Sequence, residues 1–254
     1  MTFISDRRVR LVTVAIGVVG LIAVAAAPAA AQDISVNFGN GPNSGLTERV
    51  IQMIALLTVL SLAPSILVMM TSFTRIVVVL SLLRTALGTA TAPPNAVIVS
   101  LALFLTAFVM GPALQTAYDT GVRPLVANEI TAEVAFERGI IPLRAFMQRN
   151  VREKDLKLFV DMSNEVAPAK PEDLSLRVLV PAFMISELKR AFEIGFLLFL
   201  PFLIIDLVVA SVLMSMGMMM LPPVVVSLPF KLIFFVRVDG WSLVAGSLIQ
   251  SYGT

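Results

Sequence analysis

The chain has 254 residues, of which 57% are hydrophobic and only 14% charged, and its mean hydropathy is +0.91. Since a soluble domain carries about 25% charged residues, this composition excludes an ordinary soluble globule and points to the bilayer. The sequence contains no His and no Cys, which excludes disulfides, thiol nucleophiles, Ser-His pairs and the usual zinc sites. No basic stripe with interleaved aromatic residues is present, so a nucleic-acid partner is not expected.

Residues 1–31 have the pattern of a cleaved signal peptide. The net charge of +2 lies here, since residues 32–254 hold 16 basic and 16 acidic side chains. The charged residues of this segment are Asp6, Arg7, Arg8 and Arg10, whose charges sum to +2. An apolar run follows them, and a small-residue site predicts cleavage between Ala31 and Gln32. The competing interpretation is an uncleaved first transmembrane helix. Cleavage implies a bacterial inner-membrane protein whose mature N-terminus starts outside the cytoplasm.

Residues 32–49 are rich in Asn and Gly and predict a flexible leader. Residues 50–118 predict a first helical hairpin, because they contain two uncharged runs that are each long enough to cross a bilayer. The turn between the runs has Gly88 and, five residues later, Pro93 and Pro94. Asn95 is predicted to cap the helix that follows.

Residues 119–193 are different in character, with 23 charged side chains in 75 positions. Their apolar residues keep helical spacing, and no convincing strand is present. Within this segment, residues 149–157 predict a solvated helical face of mixed charge, and Pro181 is predicted to start a helix. The segment is therefore expected to be a helical polar domain outside the membrane.

Residues 194–254 predict a second helical hairpin, and its turn repeats the spacing of the first. Gly217 is followed five residues later by Pro222 and Pro223. The echo is explained either by two similar hairpins or simply by the tendency of Gly and Pro to end membrane helices. Proline also interrupts the apolar runs themselves, at Pro64, Pro112, Pro201 and Pro229. Such interrupted helices are expected to pack around something rather than to be simple lipid-facing rods.

The predicted fold is all-α, with membrane-type hairpins of Pro-kinked helices and a polar periplasmic insert. An N-terminus outside the cytoplasm gives four crossings, with both proline-pair turns facing inward. Arg75 and Arg84 flank the first turn without an acid, in agreement with the positive-inside rule. The charged residues of the second hairpin are Asp206, Lys231, Arg237 and Asp239, and of these Asp206, Lys231 and Asp239 are predicted, with Arg75 and Arg84, to serve packing or assembly.

Asp206 is the acid that needs an explanation, because an ionised carboxylate in hydrocarbon must face protein, water or a cation. It could act as a proton or ion relay. The other interpretation is an ion pair between helices, with Arg75 or Lys231 as the partner. Unchanged assembly in an Asp206→Asn variant would count against that ion pair.

Met218, Met219 and Met220 stand in a row beside the glycine and the proline pair of the second turn. Methionine is unbranched and deformable, so it fills irregular gaps. The row is either ordinary core or lipid packing, or a flexible apolar gate at the tip of a hairpin. No nucleotide-binding motif, metal-ligand spacing or catalytic pair is present, and no catalytic residue, metal or cofactor is expected.

Several long motifs resemble the FliP family of flagellar biosynthetic proteins. The first is FTRIVVVLSLLRTALG at residues 73–88, followed by TAPPN at residues 91–95. Further matching segments are residues 185–189, 201–211, 217–220, 227–231 and 238–241. The resemblance covers nearly all of the chain after the leader.

The resemblance implies a core subunit of the flagellar type III protein export gate, in the inner membrane at the base of the flagellum. Members of this family form a ring of five copies with FliQ-like and FliR-like subunits, beside other export-apparatus membrane proteins, and pass unfolded substrates. It implies a gasket of Met218, Met219 and Met220, and hairpins drawn largely out of the bilayer plane in the assembled gate. The alternative from the residues is a lone ion-coupled transporter or channel for small solutes, with Asp206 as the coupling group.

Overall fold

A computed structural model describes residues 68–253, apart from residues 90, 164–173 and 219, together with scattered positions between 50 and 65. The predicted signal peptide, its cleavage site at Ala31 and Gln32, and the leader lie outside the described residues. Part of the first predicted span, residues 50–74, lies outside them as well. The chain divides into units Met1–Leu56 and Leu57–Thr254, and every helix below belongs to the second.

The described residues form α-helices and no strand, which confirms the predicted all-α class. Eight α-helices have defined bounds in this part of the chain. In chain order they are α1 (Phe73–Leu87), α2 (Asn95–Ala117), α3 (Arg123–Val126), α4 (Ala132–Asn150), α5 (Glu153–Ser163), α6 (Leu176–Ser215), α7 (Pro223–Arg237) and α8 (Gly240–Gln250). A short π-helix, Tyr118–Val122, joins α2 to α3.

Helix α1 is a core helix, although it is almost wholly apolar. Its buried positions recur at intervals of three and four residues, so one continuous stripe is buried against α2 and α6. We call the cluster around it the α1 core: Ile76, Val79, Leu80, Leu83, Ala86, Leu87, Ile98, Ala102, Ala191, Phe202, Phe235, Val244 and Leu248. With 15 residues, α1 is too short to cross a bilayer by itself.

A second cluster, the α4 core, joins α4 to the first half of α6. Its buried members are Met70, Val109, Met110, Leu143, Phe146, Met147, Leu174, Val178, Leu179 and Phe183. The rings of Phe146 and Phe183 meet edge to face, with their centroids 6.0 Å apart. The predicted polar domain therefore shares an apolar core with α6.

Helix α6 has 40 residues and is about 60 Å long at 1.5 Å per residue. Its N-cap is Ser175, whose hydroxyl accepts a hydrogen bond from the backbone N–H of Arg177. The prediction that Pro181 starts this helix is wrong, because the Ser175 cap sets the start and the helix continues through both Pro181 and Pro201. The predicted domain boundary between residues 193 and 194 falls inside it.

Two helical stretches of the described chain, Asn95–Val126 and Leu176–Ser215, are long and apolar enough to cross a membrane. A third candidate is α7 with α8, which qualify together but meet at a bend of 63°. These stretches overlap the second, third and fourth predicted spans at residues 96–118, 194–221 and 224–249, although α6 begins 18 residues before the third. The second half of α6 leaves large apolar side chains exposed: Leu203, Ile204, Leu207, Val208 and Val212.

Two local predictions are corrected by the structure. Pro94 is the N-cap of α2, so Asn95 is the first residue of the helix, and its side chain instead accepts a hydrogen bond from Arg84. The mixed-charge segment 149–157 is not one solvated face. Val151 is extended and separates α4 from α5, and Asp155 is buried.

Candidate functional site: a methionine turn and two ion pairs of α6

The turn between α6 and α7 contains the predicted methionine gasket. Helix α6 ends where Gly217 adopts a left-handed conformation, with φ of 75°. The backbone N–H of Met218 then donates to the carbonyl of Leu213 over 3.0 Å, which closes the end of the helix. Pro222 is the N-cap of α7, and Pro223 is its first residue, where the missing N–H is not needed.

The methionines of this turn form an apolar tip. Met220 is 98% exposed, Met214 and Met216 are also exposed, and Met218 is half-buried. Met219 lies outside the described residues. An exposed cluster of deformable apolar side chains is costly in water, so the tip is suited to contact with lipid or protein.

The turn between α1 and α2 has the same glycine and proline spacing but different chemistry. Gly88 also adopts a left-handed conformation, with φ of 77°. Its turn is tied together by polar bonds, since the Arg84 guanidinium donates to the carbonyl of Pro93 over 3.3 Å and to the side chain of Asn95. The two turns therefore share a left-handed glycine that ends the preceding helix, but only the second turn has a methionine tip.

Asp206 pairs with Lys231, one of the two partners considered from the sequence. The ammonium of Lys231 on α7 lies 2.6 Å from the Asp206 carboxylate on α6. The other carboxylate oxygen accepts a hydrogen bond from the Ser227 hydroxyl. Lys231 also donates to the carbonyl of Ala86 over 3.2 Å, where the last turn of α1 carries partial negative charge. Lys231 therefore joins three helices.

Arg75 forms the more deeply buried ion pair, with Glu187 on α6. The side chain of Arg75 is 1% exposed and that of Glu187 is 0% exposed. The pairing is bidentate, and its Nε to Oε2 distance is 3.0 Å. Such a planar fork satisfies both carboxylate oxygens, which a buried charge requires.

The segment after α8 completes this pair. Arg75 donates to the Ser251 hydroxyl over 3.0 Å, and its guanidinium lies over the Tyr252 ring, 3.8 Å from the centroid. The Tyr252 hydroxyl donates to Glu187, and its ring stacks on Phe146. Burial and the Glu187 carboxylate raise the pKa of the Tyr252 phenol above its ordinary value, so it remains a donor.

Sequence reasoning missed Glu187 and Tyr252 as members of this site. A signal was present, because Arg75 lies within an apolar helix and a buried guanidinium needs an acid. Neither the pairing across more than a hundred residues nor the choice of acid could be read from local spacing. Sequence reasoning also missed the cluster in which the Ser186 hydroxyl donates to Asp155 over 2.7 Å and accepts from the backbone N–H of Arg152.

Asp239, the last of the predicted membrane charges, is exposed at the bend between α7 and α8. It has φ of 50°, a left-handed conformation that is unusual for a residue other than glycine. Gly240 follows it, and the ring of Phe235 lies so close that any Cβ at position 240 would overlap it. This bend therefore requires glycine at 240.

The acidic residues and the groove beside Asp206 bear on metal and solute binding in the described part of the chain. No group of three or more acidic residues there could hold a metal ion. An open groove of about 470 Å³ between α6 and α7 is lined by aliphatic side chains and Phe230. The charged oxygens of Asp206 face Ser227 and Lys231, and Asp206 does not line this groove.

Comparison with known proteins gives the family. Residues 56–248 match the model of the FliP family. The flagellar biosynthetic protein FliP of Caulobacter vibrioides is 61% identical over 238 residues, covering 93% of this chain and 90% of the relative. Those of Pectobacterium carotovorum and Bacillus subtilis are 57% and 53% identical, over 83% and 80% of this chain and 82% and 91% of the relatives. This chain belongs to the FliP family.

Proposed function

We propose that this protein is a pore-forming subunit of the flagellar type III protein export gate, a gated conduit for unfolded flagellar proteins. Its similarity to flagellar biosynthetic proteins over most of its length supports a role in building the flagellum. The role is not enzymatic, and the energy for transport comes from partner proteins.

The observation that carries the proposal is the exposed methionine tip at the turn between α6 and α7. A closed gate must exclude ions and then yield to a polypeptide of varied side chains. Apolar constrictions exclude ions by dewetting, and methionine side chains deform without fixed geometry. Met218, Met219 and Met220 from several copies, brought together around an axis, would form such a gasket.

The exposed apolar surface supports assembly with other subunits. One face of α6 leaves a row of large aliphatic side chains exposed from Leu203 to Val212, and α2 exposes Phe104 and Phe108. Contiguous rows of large exposed apolar side chains need to be covered by lipid or by another protein. We propose a ring of five copies with FliQ-like and FliR-like subunits, beside other membrane proteins of the export apparatus.

The proposed location is the bacterial inner membrane, at the base of the flagellum. The helices Asn95–Val126 and Leu176–Ser215 are long and apolar enough to cross it. We propose that residues 119–193 lie on the periplasmic side, with residues 50–118 and 194–254 as the two hairpins. Helix α6 has 40 residues and is about 60 Å long, which is about twice the thickness of the hydrocarbon core. Part of this helix therefore extends beyond the core.

A lone transporter that uses Asp206 as its coupling group is less well supported. A coupling carboxylate must exchange its proton or ion with a pathway. Here one carboxylate oxygen accepts from Ser227 and the other pairs with Lys231, and the neighbouring groove is apolar. This geometry favours a structural role for Asp206.

The gasket is tested by replacing Met218, Met219 and Met220 together with alanine. We expect complexes that still assemble but conduct ions across vesicles, because shorter side chains leave a constriction that water can wet. Met162→Ala is the matched control, since this methionine is exposed on α5, far along the chain from the turn. A triple variant that assembles and keeps its vesicles sealed would contradict the gasket.

The subunit role has its own test. The mass of the complex in mild detergent is measured with the chain expressed alone and then with its FliQ-like and FliR-like partners. We expect a defined oligomer that incorporates both partners. A stable monomer that ignores them would overturn the export-gate proposal and favour the lone transporter.

A further inference from the structure

Helices α7 and α8 are joined by a sharp bend at Val238 and Asp239. Together they pass the length and composition criteria for a membrane span, yet they meet at 63°. They cover residues 223–250, which would make a helix of about 42 Å if straightened, enough for a hydrocarbon core of about 30 Å. Some interaction must therefore hold the bend.

The backbone at the bend is strained and closely packed. Asp239 has the left-handed conformation, which residues other than glycine adopt less readily. Gly240 is in contact with the ring of Phe235, and this ring also meets Trp241 edge to face with centroids 5.4 Å apart. Straightening the pair would relieve the strain at Asp239 and would separate Phe235 from Gly240.

The far end of α8 is fastened to the rest of the molecule by polar contacts. The Ser251 hydroxyl accepts from Arg75, and the Tyr252 hydroxyl donates to Glu187. The Tyr252 ring also contacts the Arg75 guanidinium and stacks on Phe146. Along the rest of α8, Val244 and Leu248 reach the α1 core, whereas Trp241 and Leu243 are exposed.

We propose that Ser251 and Tyr252 form a C-terminal latch that holds α8 bent against α1 and α6, and that release of this latch lets α7 and α8 join as one membrane-spanning helix. Bending leaves Asp239 strained, and the latch contacts offset that strain. The Arg75–Glu187 pair remains intact after release and can receive Tyr252 again. Release would therefore lose the latch contacts and relieve the strain at Asp239, two effects that oppose each other.

The latch is tested by cysteine labelling of the full chain in detergent. The natural sequence has no cysteine, so a single introduced thiol reports one position. Val244→Cys places it at a site that is 5% exposed while α8 is docked. Ser242→Cys places it at an exposed site of the same helix, as the matched control. We expect a maleimide to label position 244 slowly and position 242 fast.

Two variants should open the latch from different ends. Tyr252→Phe keeps the ring but removes the donor to Glu187, and we expect labelling at position 244 to become about tenfold faster, because a bond to a charged group is lost. Tyr118→Phe, at the exposed tyrosine, should not change the rate. Gly240→Ala should also accelerate labelling, since its Cβ overlaps Phe235 only in the bent state.

A third variant should act in the opposite direction. Asp239→Gly removes the strain of the left-handed conformation, so we expect slower labelling of position 244 by roughly fivefold. General damage to the fold would accelerate labelling in every variant and would not produce this opposite sign. Equal labelling rates at positions 244 and 242 in the parent chain, or an unchanged rate in Tyr252→Phe, would overturn the latch.

Discussion

Removing Glu187 should destabilise the protein more than removing any exposed acid. Glu187→Ala would leave the Arg75 guanidinium buried without a counter-ion, at a site where both side chains are at most 1% exposed. Breaking a buried pair from one side costs about 3–5 kcal/mol, since the remaining charge is desolvated and unpaired. Exposed ion pairs contribute about 0.2–1 kcal/mol. The Lys189–Glu193 pair is exposed, so Glu193→Ala is the matched control.

The same reasoning predicts that removing both charges restores stability. In Arg75→Met with Glu187→Leu, no charge is desolvated, and apolar replacement of a buried pair is neutral or stabilising by about 1–4 kcal/mol. Tyr252 loses one acceptor in this variant, which offsets about 1 kcal/mol of that gain. The assay is unfolding of the purified chain in mixed micelles by increasing SDS, with all four members of the cycle measured together. A double variant as unstable as the sum of the singles would refute the reasoning.

Two further predictions concern packing on α6. Lys231→Met should lower the free energy of unfolding by about 2 kcal/mol. This loss is smaller than that expected for Glu187→Ala, because the Asp206 side chain is 28% exposed. Adding Asp206→Asn should recover part of the loss in the same unfolding assay. Full stability in Lys231→Met alone would mean that the pair is only a surface contact. Gly195→Ala should lower the free energy of unfolding by about 1–3 kcal/mol, and with it the melting temperature, because a Cβ there overlaps Leu82. Gly246→Ala has open space around it and should be neutral or slightly stabilising. Equal melting temperatures for these two glycine variants would contradict the packing of α1 against α6.

Glycine and proline made the turns predictable from the sequence. Gly88 and Gly217 end their helices in the left-handed conformation, and Pro222 caps α7. These outcomes follow from local sterics, since glycine tolerates positive φ and proline, which lacks a backbone N–H, fits the start of a helix without losing a hydrogen bond. The all-α class was predictable for a similar reason, because long apolar runs without strand patterning have few other solutions.

Competition between nearby groups explains the local errors. Asn95 was a reasonable N-cap by residue type, but Pro94 is already extended, with ψ of 152°, and Arg84 binds the asparagine side chain. Pro181 was a reasonable helix start, yet Ser175 caps the helix six residues earlier. Proline is tolerated there because the packing of α6 outweighs one lost backbone bond.

Long-range pairing was beyond sequence reasoning. Nothing in the spacing shows that Asp155 is buried against Ser186 or that Glu187 reaches Arg75, since both contacts depend on how α6 packs. For Asp206 the sequence reduced the partner to two choices, and only the position of α7 beside α6 selects Lys231. The roles of Met218, Met219 and Met220 remain predictions.

The length of α6 separates its buried ion pair from the methionine turn. Between Glu187, where the helix is fastened to Arg75, and Ser215, where the methionine turn begins, about 42 Å of continuous helix intervenes. A tilt of about 5° around that fastening point would displace the turn by about 4 Å, close to the width of a methylene chain. Because the Asp206–Lys231 pair ties this length of α6 to α7, a rearrangement at the Arg75–Glu187 pair would displace the methionine tip by the size of a side chain only if α7 moved together with α6.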